Sequence, residues 1–570
     1  MVAPKLKMRL GDLLVHEQVI TNEQLIQALN SQKSTGRKLG DSLIQLSYLS
    51  EGQLLEFLAK QLGVPFLDIS QHRITTESSN LLPEVHGRRL RALVIEDRGD
   101  SVLIGMSDPA DLGAIDQLEQ MLAPKSIELA VVMDSQLFEA FDSLYRHTAE
   151  IASFASQLEE EYEHSSGFDL STSLIDDAGD ATVGKLLQSV FEDGVQMRAS
   201  DIHIEPDENQ LRIRLRIDGV LQENILKENK IASALVLRLK LMAGLDISEK
   251  RIPQDGRFHL PIAGHNIDVR MSIMPVQYGE SVVMRLLDHS SGLLSFDQTG
   301  MPDDLIKRVR HQISRSHGML LVTGPTGSGK TTTLYAALSE LNQASKKIIT
   351  VEDPVEYRLA RIQQVQVNPK IDLTFSSVLR TALRQDPDIM MVGEMRDQET
   401  VEIGLRGALT GHLVLSTLHT NDAITSALRL IDMGAAGFLV GSSLRAIIAQ
   451  RLVRRICKHC VEDYIPDAQE LLWLTNLAGK QAETASFVHG RGCQSCQYTG
   501  YKGRIGVFEL LEMNEAMMAA LKREDSEAFS QLSKENPSFK PLAHFSFDYA
   551  VQGITTVEEV LRLVETVDVN

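Results

Sequence analysis

The chain opens with two copies of one hydrophobic pattern. Shifted by 29 positions, Arg9, Leu10, Gly11 and Asp12 fall on Lys38, Leu39, Gly40 and Asp41, and Leu14, Leu25, Leu29 and Gln32 fall on Leu43, Leu54, Leu58 and Gln61. Each copy is predicted to end in a helix opened by a capping box, Thr21 with Gln24 and Ser50 with Gln53, whose hydroxyl and amide each satisfy a free backbone N–H. Leucines four apart, with Gln three further on, place all three on one helical face. Between about residues 81 and 145, short apolar runs (91–95, 101–106 and 127–133) alternate with helical stretches, which predicts a small α+β unit. A stretch rich in Glu, Asp and Ser follows, including Glu159, Glu160 and Glu161, and reads as a partly helical linker. From about 181 to 288 a helix precedes alternating strands. In one of them Arg212, Arg214 and Arg216 share a face and Leu211, Ile213, Leu215 and Ile217 the other. From about 298 to 513, apolar strands and helices alternate across Gly-rich turns, the pattern of a parallel sheet covered on both sides, and the tail is mostly helical.

Composition narrows the class. A chain of 570 residues is long enough for three or four domains, and 43% hydrophobic with 24% charged residues is a globular balance. The 77 acidic against 57 basic residues give a formal charge of −20, which argues against bulk, sequence-blind binding to nucleic acid. No apolar leader stands at the start, and no aliphatic run approaches the roughly 18 residues of a membrane span, so a cytoplasmic protein is expected. The four cysteines form two CxxC pairs, Cys457 with Cys460 and Cys493 with Cys496, separated by 32 residues. Two tight turns, each giving two thiolates, suit tetrahedral Zn²⁺, and no thioredoxin-like unit is evident to support a redox pair.

The most specific motif is Gly324, Pro325, Thr326, Gly327, Ser328, Gly329, Lys330, Thr331, after an apolar strand and before a helix that continues through Thr332. It fits GxxxxGK[ST] in its strand–loop–helix context. Glycines let successive N–H groups turn inward around a β-phosphate at a helix N-terminus. Lys330 supplies a point charge to the β and γ phosphates, and the Thr331 hydroxyl suits Mg²⁺. Carboxylates are needed opposite this loop. Glu394 ends the apolar strand after Asp388, and Glu352, Asp353 and Glu356 follow a second, both positions at which parallel sheets bind ligands. His412 and His419 flank a third strand, and Arg216, Arg257, Arg270 and Arg285 of the preceding domain are candidates to reach a γ-phosphate.

Together these residues resemble the secretion and pilus-assembly ATPases of the GspE/PilB type, from about residue 170 to the C-terminus. The resemblance also rests on the segments 200–206, 216–219 and 251–257, on Gly279-Glu280, on the acidic strand end 351–357 and on the histidine segment 411–420. It implies a RecA-like P-loop core preceded by an α+β (PAS-like) domain, and a ring of six subunits in which that preceding domain lends arginines, Arg216 and Arg257 among them, to the nucleotide site. It implies ATP and Mg²⁺ on Lys330 and Thr331, Glu394 in the Walker B role, Glu352 as a water-activating carboxylate and His412 or His419 as a γ-phosphate sensor. The N-terminal repeat resembles the cyclic-di-GMP-binding domain of MshE-type pilus ATPases. That likeness implies a ligand held by Arg9, Leu10, Gly11, Leu14, Leu25, Leu29 and Gln32, by their counterparts Lys38, Leu39, Gly40, Leu43, Leu54, Leu58 and Gln61, and by Asp108. The chain departs from that pattern at Gln18 and Ser47, where Gly is usual, and at Lys38, where a second Arg is usual.

The expected organisation is a helical cyclic-di-GMP subdomain (1–70), a small α+β subdomain (71–148), an acidic linker (149–180), an arginine-bearing α+β domain (181–290) and a RecA-like domain (298–570) holding a zinc module (456–498). The expected function is a cytoplasmic hexameric ATPase powering MSHA-type type IV pilus assembly through an inner-membrane platform protein, with cyclic di-GMP as regulator. A type II secretion ATPase is the nearest rival. A RecA-type DNA translocase and a non-catalytic nucleotide-binding scaffold belong to other classes.

Overall fold

The computed structural model describes residues 10–35, 39–46, 48–69, 72, 74–79, 81–108, 111–144, 148–164, 177–262, 264–288, 294–496 and 498–568. The chain divides into two units, one of residues 1–288 with 457–460 and 491–500, the other of the residues between and after them.

In the first unit the repeat forms helices α1 (Leu10–His16), α2 (Asn22–Thr35), α3 (Leu39–Gln45) and α4 (Glu51–Leu62). Both capping boxes form: Thr21 and Gln24 exchange bonds of 2.8 and 3.3 Å, and Ser50 and Gln53 bonds of 3.0 and 3.2 Å. The two copies pack alike. A Cβ on Gly11 would lie 2.6 Å from Leu25 Cδ1, and one on Gly40 would lie 2.9 Å from Leu54 Cδ2, so each glycine seats the leucine of the helix that follows it. Leu14, Leu25, Leu43 and Leu54 close one shared core.

Strands β1 (Ala92–Asp97), β2 (Ser101–Met106) and β3 (Ser126–Val131) come next, ordered β1-β2-β3. Leu93 and Leu103 face one apolar cluster and Val94 and Ile104 another. A sheet buried on both faces reads as unbroken apolar runs, not as alternation.

The acidic stretch differs from expectation. Residues Thr148–His164 are a helix whose Ile151, Ala155 and Leu158 are buried in the core of the following domain. Glu150 and Glu160 are on the exposed side of this amphipathic helix, while Glu161, half-buried, accepts from Thr182 Oγ1 at 3.1 Å, so half of the expected linker is domain. That domain has a six-stranded antiparallel sheet of β4 (Asp201–Pro206), β5 (Leu211–Ile217), β6 (Val220–Leu226), β7 (Gln254–Ile262), β8 (His265–Val276) and β9 (Gly279–Asp288), ordered β6-β5-β4-β9-β8-β7.

The second unit carries a seven-stranded sheet. Its strands are β10 (Gly318–Thr323), β11 (Ile348–Glu352), β12 (Gln363–Gln366), β13 (Ile389–Val392), β14 (Leu413–Leu418), β15 (Leu444–Ile456) and, past an antiparallel pair of β16 (Val461–Tyr464) with β17 (Phe487–Gly490), β18 (Tyr501–Glu512). The order is β12-β11-β13-β14-β10-β15-β18, parallel throughout except for β18. Strands β10, β11, β13 and β14 are buried along their whole length. Their carboxyl ends, at Thr323, Glu352, Val392 and Leu418, therefore point to the same edge of the sheet, where ligands of such sheets sit.

Candidate nucleotide site and accessory binding regions

Strand β10 ends in the glycine-rich loop, and the helix Lys330–Leu341 begins directly after it. Gly324, Gly327 and Gly329 have φ of 148°, 80° and 88°, a region that side chains disfavour. A Cβ on Gly324 would lie 2.5 Å from both the Gln450 carbonyl and Ser328 Oγ, so the first loop position must be glycine. The rim formed by Pro325, Thr326 and Gly327, and the first helical turn at Thr331 and Thr332, are exposed.

Lys330 folds over this loop, its Nζ donating to the carbonyls of Gly324 (2.8 Å) and Pro325 (3.0 Å). Burial pulls its pKa down to about 8; nearby Glu394 acts against that shift and nearby Arg451 with it. Glu394 leaves β13 through Gly393, whose N–H donates to Val351 O (2.7 Å). Its carboxylate, 12% exposed, is paired with Arg396 and stands 3.5 Å from His419 Nε2. The His419 pKa is lowered, first by burial and then by Lys330, which leaves a neutral imidazole at neutral pH. Lys330, Glu394 and His419 are thus brought together at the carboxyl edge.

Two expected groups are arranged otherwise. His412 precedes β14 while His419 follows it, and the pairing of Gly318 with Leu413 and of Thr323 with Leu418 puts His412 beside the start of β10, at the far edge of the sheet. At about 3.3 Å per residue that is roughly 20 Å from His419. Its Nδ1 lies 3.0 Å from the Gly407 carbonyl, a structural contact, so the sensor role expected for His412 is withdrawn. Glu352 is 3% exposed. One of its oxygens accepts from Thr350 Oγ1 (2.5 Å) and Gln364 Nε2 (3.1 Å), the other from the Tyr335 hydroxyl. In this arrangement both oxygens are committed, and Glu394 is the carboxylate that acts on Lys330.

The sequence reading missed Gln450 and Arg451. Both are buried in the middle of β15, between the apolar run 446–449 and Leu452, and polar residues buried inside such a run are the signal that could have found them. The guanidinium of Arg451 donates to the Gln450 carbonyl (3.2 Å) and to Asn421 Oδ1 (2.9 Å).

In the first unit, strand pairing assembles the scattered arginines. Arg216 pairs with Asp201, Asp201 with Arg285, Arg285 with Arg270 and Arg270 with Arg257. Directly paired antiparallel residues share a face, so four arginines and one aspartate cross the sheet in a single row. Like charges set side by side are destabilising, which makes the row receptive to an anion. Asp201 takes Arg285 Nε at 3.1 Å and Arg216 Nε at 3.6 Å, and Arg257, Arg270 and Arg285 line a cavity of about 390 Å³.

The four cysteines are buried, with Sγ–Sγ distances of 3.8 Å for Cys457–Cys493, Cys460–Cys496 and Cys493–Cys496. A tetrahedral metal with bonds of about 2.3 Å to sulfur needs edges of about 3.8 Å, so the donor set fits Zn²⁺. Cys496 is held far below the usual thiol pKa by the Cys457 and Cys493 thiols and accepts from the amides of Cys493 (3.1 Å) and Gly500 (3.3 Å), as a ligating thiolate does.

For cyclic di-GMP, Arg9 and Lys38 lie outside the described residues, as do the side chains of Leu10, Leu58 and Gln61. Leu14, Leu25, Leu43 and Leu54 are core residues and Gly11 is buried beneath Leu25, whereas Leu29 is 38% exposed and Gln32, Leu39 and Gly40 are half-buried. Asp108, half-buried, follows the end of β2. The buried leucines therefore fix the spacing of the two copies, and the exposed contact surface falls to the remaining residues.

A family model described as "Type II/IV secretion system protein" matches residues 176–562, and one described as "MshEN domain" matches residues 62–151. The type IV pilus assembly ATPase PilB of Myxococcus xanthus is 38% identical over 559 residues, covering 97% of this chain and 98% of that one. The type II secretion system protein E of Xanthomonas campestris is also 38% identical, over 564 residues and 98% of each chain. A solved structure described as "Structure of MshE with cdg" is 52% identical, covering 24% of this chain and all of that one, with a TM-score of 0.24. Among the described residues, no helix is long and apolar enough to cross a membrane.

Proposed function

The chain belongs to the Type II/IV secretion system protein family, and on that premise we propose that it is the ATP-hydrolysing motor of type IV pilus assembly, of the MSHA type, regulated at its N-terminus by cyclic di-GMP. The observation that carries the catalytic part is the meeting of Lys330, Glu394 and His419 at the carboxyl edge of a P-loop sheet. When phosphates enter, Lys330 exchanges the carbonyls of Gly324 and Pro325 for the β and γ oxygens, gaining charge–charge contacts for neutral ones. Loop amides hold the β-phosphate. Glu394 orients or deprotonates the attacking water, and His419, neutral and 3.5 Å from Glu394, senses the leaving γ-phosphate. Thr331 would hold Mg²⁺, which would supply neutralisation of the charge on the phosphates. Glu352 enters this chemistry only if Tyr335, Thr350 and Gln364 release it.

In a ring of six, Arg216 and Arg257 are the cations offered to a nucleotide, and a membrane platform protein receives the motion. Cys457, Cys460, Cys493 and Cys496 would hold Zn²⁺, which would supply a structural cross-link. Two-copy symmetry of the N-terminal helices matches a two-fold symmetric dinucleotide, and the MshEN match covers the residues that follow the repeat, Asp108 among them.

Type II secretion is the second reading, since a secretion relative is as similar as the pilus one. The repeat keeps both Leu-Gly steps and both glutamines, which favours ligand binding, and cyclic-di-GMP binding that is lost on Arg9→Ala would favour pili. Loss of surface pili on deletion, restored by the parent chain and not by Glu394→Gln, supports the proposal. Normal piliation with a defect in protein export supports the rival. Native mass measurement with an ATP analogue, with and without cyclic di-GMP, tests the ring.

A further inference from the structure

Gln450 stands where the phosphate loop meets its supporting strand. Thr323, the last residue of β10, pairs with Ala449 on β15, so Gln450 lies one step beyond, behind the loop. It is 2% exposed, and both polar atoms of its side chain are hydrogen-bonded. Nε2 donates to the Ser328 carbonyl at 2.7 Å, and Oε1 accepts from the Thr333 hydroxyl at 2.8 Å. The same Nε2 lies 3.1 Å from the place of a Cβ on Gly329, and its backbone oxygen lies 2.5 Å from that of Gly324. One residue therefore touches the first position of the loop, its last two and the first helical turn.

Peptide geometry gives these contacts a consequence. In a trans peptide the C=O and the following N–H point in opposite directions. Drawing the Ser328 carbonyl toward β15 aims the Gly329 N–H away from it, into the loop, where the β-phosphate sits in a P-loop. The Thr333 bond anchors the helix whose N-terminus supplies the remaining amides, and Thr333 N in turn donates to Gly329 O at 3.1 Å. Only a group that donates and accepts at once can do both jobs, which a carboxamide does and a carboxylate does not.

We propose that Gln450 is a positioning residue of the nucleotide site: its carboxamide sets the Ser328–Gly329 peptide so that the loop is shaped for a β-phosphate before nucleotide arrives. This rests on the P-loop ATPase reading above, and deepens it by assigning affinity for ATP and ADP alike to a side chain that touches neither.

The test is nucleotide binding and steady-state hydrolysis by the full-length chain, with Mg²⁺, for the parent, Gln450→Ala, Gln450→Glu and Thr333→Val. Loss of one hydrogen bond to the loop is worth about tenfold. Gln450→Ala is expected to raise the Kd for both ADP and ATP by about that factor or more, with Gln450→Glu worse because its carboxylate faces the Ser328 carbonyl. KM rises with them while kcat at saturation stays within about threefold, a split that a general loss of structure does not produce. Thr333→Val, which keeps the Ser328 bond, is expected to raise Kd by about threefold and to add little on top of Gln450→Ala, since both act through one carboxamide. Should Gln450→Ala fail to fold, Thr333→Val carries the test alone. Affinities within twofold of the parent, or kcat falling by the same factor as affinity, overturn the proposal. A parent chain that binds neither ADP nor ATP overturns instead the ATPase reading.

Discussion

His419 Nε2 lies 3.5 Å from the Oε2 of Glu394, a contact made because β13 and β14 are parallel neighbours that end together at the phosphate loop. Glu394 also holds Arg396 and acts on Lys330, so one carboxylate links the loop cation to the histidine. Glu394→Gln keeps the shape and removes the charge. Its expected effect is MgATP binding within a few-fold of the parent and hydrolysis slower by about 10²- to 10⁴-fold, the usual worth of a general base. The neutral imidazole of His419 acts through hydrogen bonding, so His419→Gln should retain more phosphate release than His419→Ala. Equal losses in both would assign His419 a charge-based role.

The lysine gives a pH dependence with a definite sign. Lys330 titrates at about 8 in the free protein because burial penalises its charge. Bound phosphates favour the ammonium and raise that pKa, so binding above pH 8 requires proton uptake. Calorimetry in buffers of different ionisation enthalpy should show uptake approaching one proton at pH 9 and almost none at pH 6.5. The ATP affinity should fall with rising pH through this window, by up to about tenfold per pH unit. Proton uptake that does not vary with pH would show that the lysine is charged throughout.

The two N-terminal copies should respond unequally to the same change. Alanine at a helical glycine gains about 1 kcal/mol of helix propensity. At Gly11 the new methyl meets the core Leu25 Cδ1 at 2.6 Å and the half-buried Leu39 Cδ2 at 3.2 Å, whereas at Gly40 it meets Leu54 Cδ2 alone at 2.9 Å. Overpacking of about 1–3 kcal/mol outweighs the gain at Gly11, and one leucine tip turning aside roughly balances it at Gly40. The thermal stability of the N-terminal repeat should therefore fall with Gly11→Ala and stay near that of the parent with Gly40→Ala, ATP hydrolysis in the absence of the dinucleotide being unchanged in both.

Why some residues were legible and others not follows from the range of the physics involved. The phosphate loop, the CxxC pairs and the capping boxes are local, with every atom of the motif inside about ten residues, and each stands in the structure where the spacing put it. His412 and His419 look equivalent in sequence, and only the parallel pairing of β10 with β14 reveals that they occupy opposite edges of the sheet. The arginine row is legible only through strand register, which no single strand encodes. Glu352 reads as a free strand-end carboxylate until Tyr335, on the helix that follows the phosphate loop, is seen to donate to it. The helix Thr148–His164 reads as linker because acidic and polar residues dominate its composition, while the three apolar residues that bind it to the next domain are spaced too thinly to stand out.

Metal content provides the last test. Four thiols buried together and 3.8 Å apart along three edges are costly as bare sulfurs, since any that ionise lack a counter-charge and any that stay neutral leave weak donors facing one another. A divalent cation removes both costs, and the edge length selects a tetrahedral ion with bonds of about 2.3 Å. The purified chain should carry one zinc per polypeptide by elemental analysis. Cobalt substitution should bring the intense near-ultraviolet absorption of sulfur-to-metal charge transfer. Cys460→Ser and Cys496→Ser should each lose the ion, lower the melting temperature and leave cyclic-di-GMP binding intact, because the repeat has its own core. A metal-free chain whose four thiols all react readily with a thiol reagent in the folded state would instead make these pairs redox groups, and the melting temperature would then respond to oxidant and not to chelator.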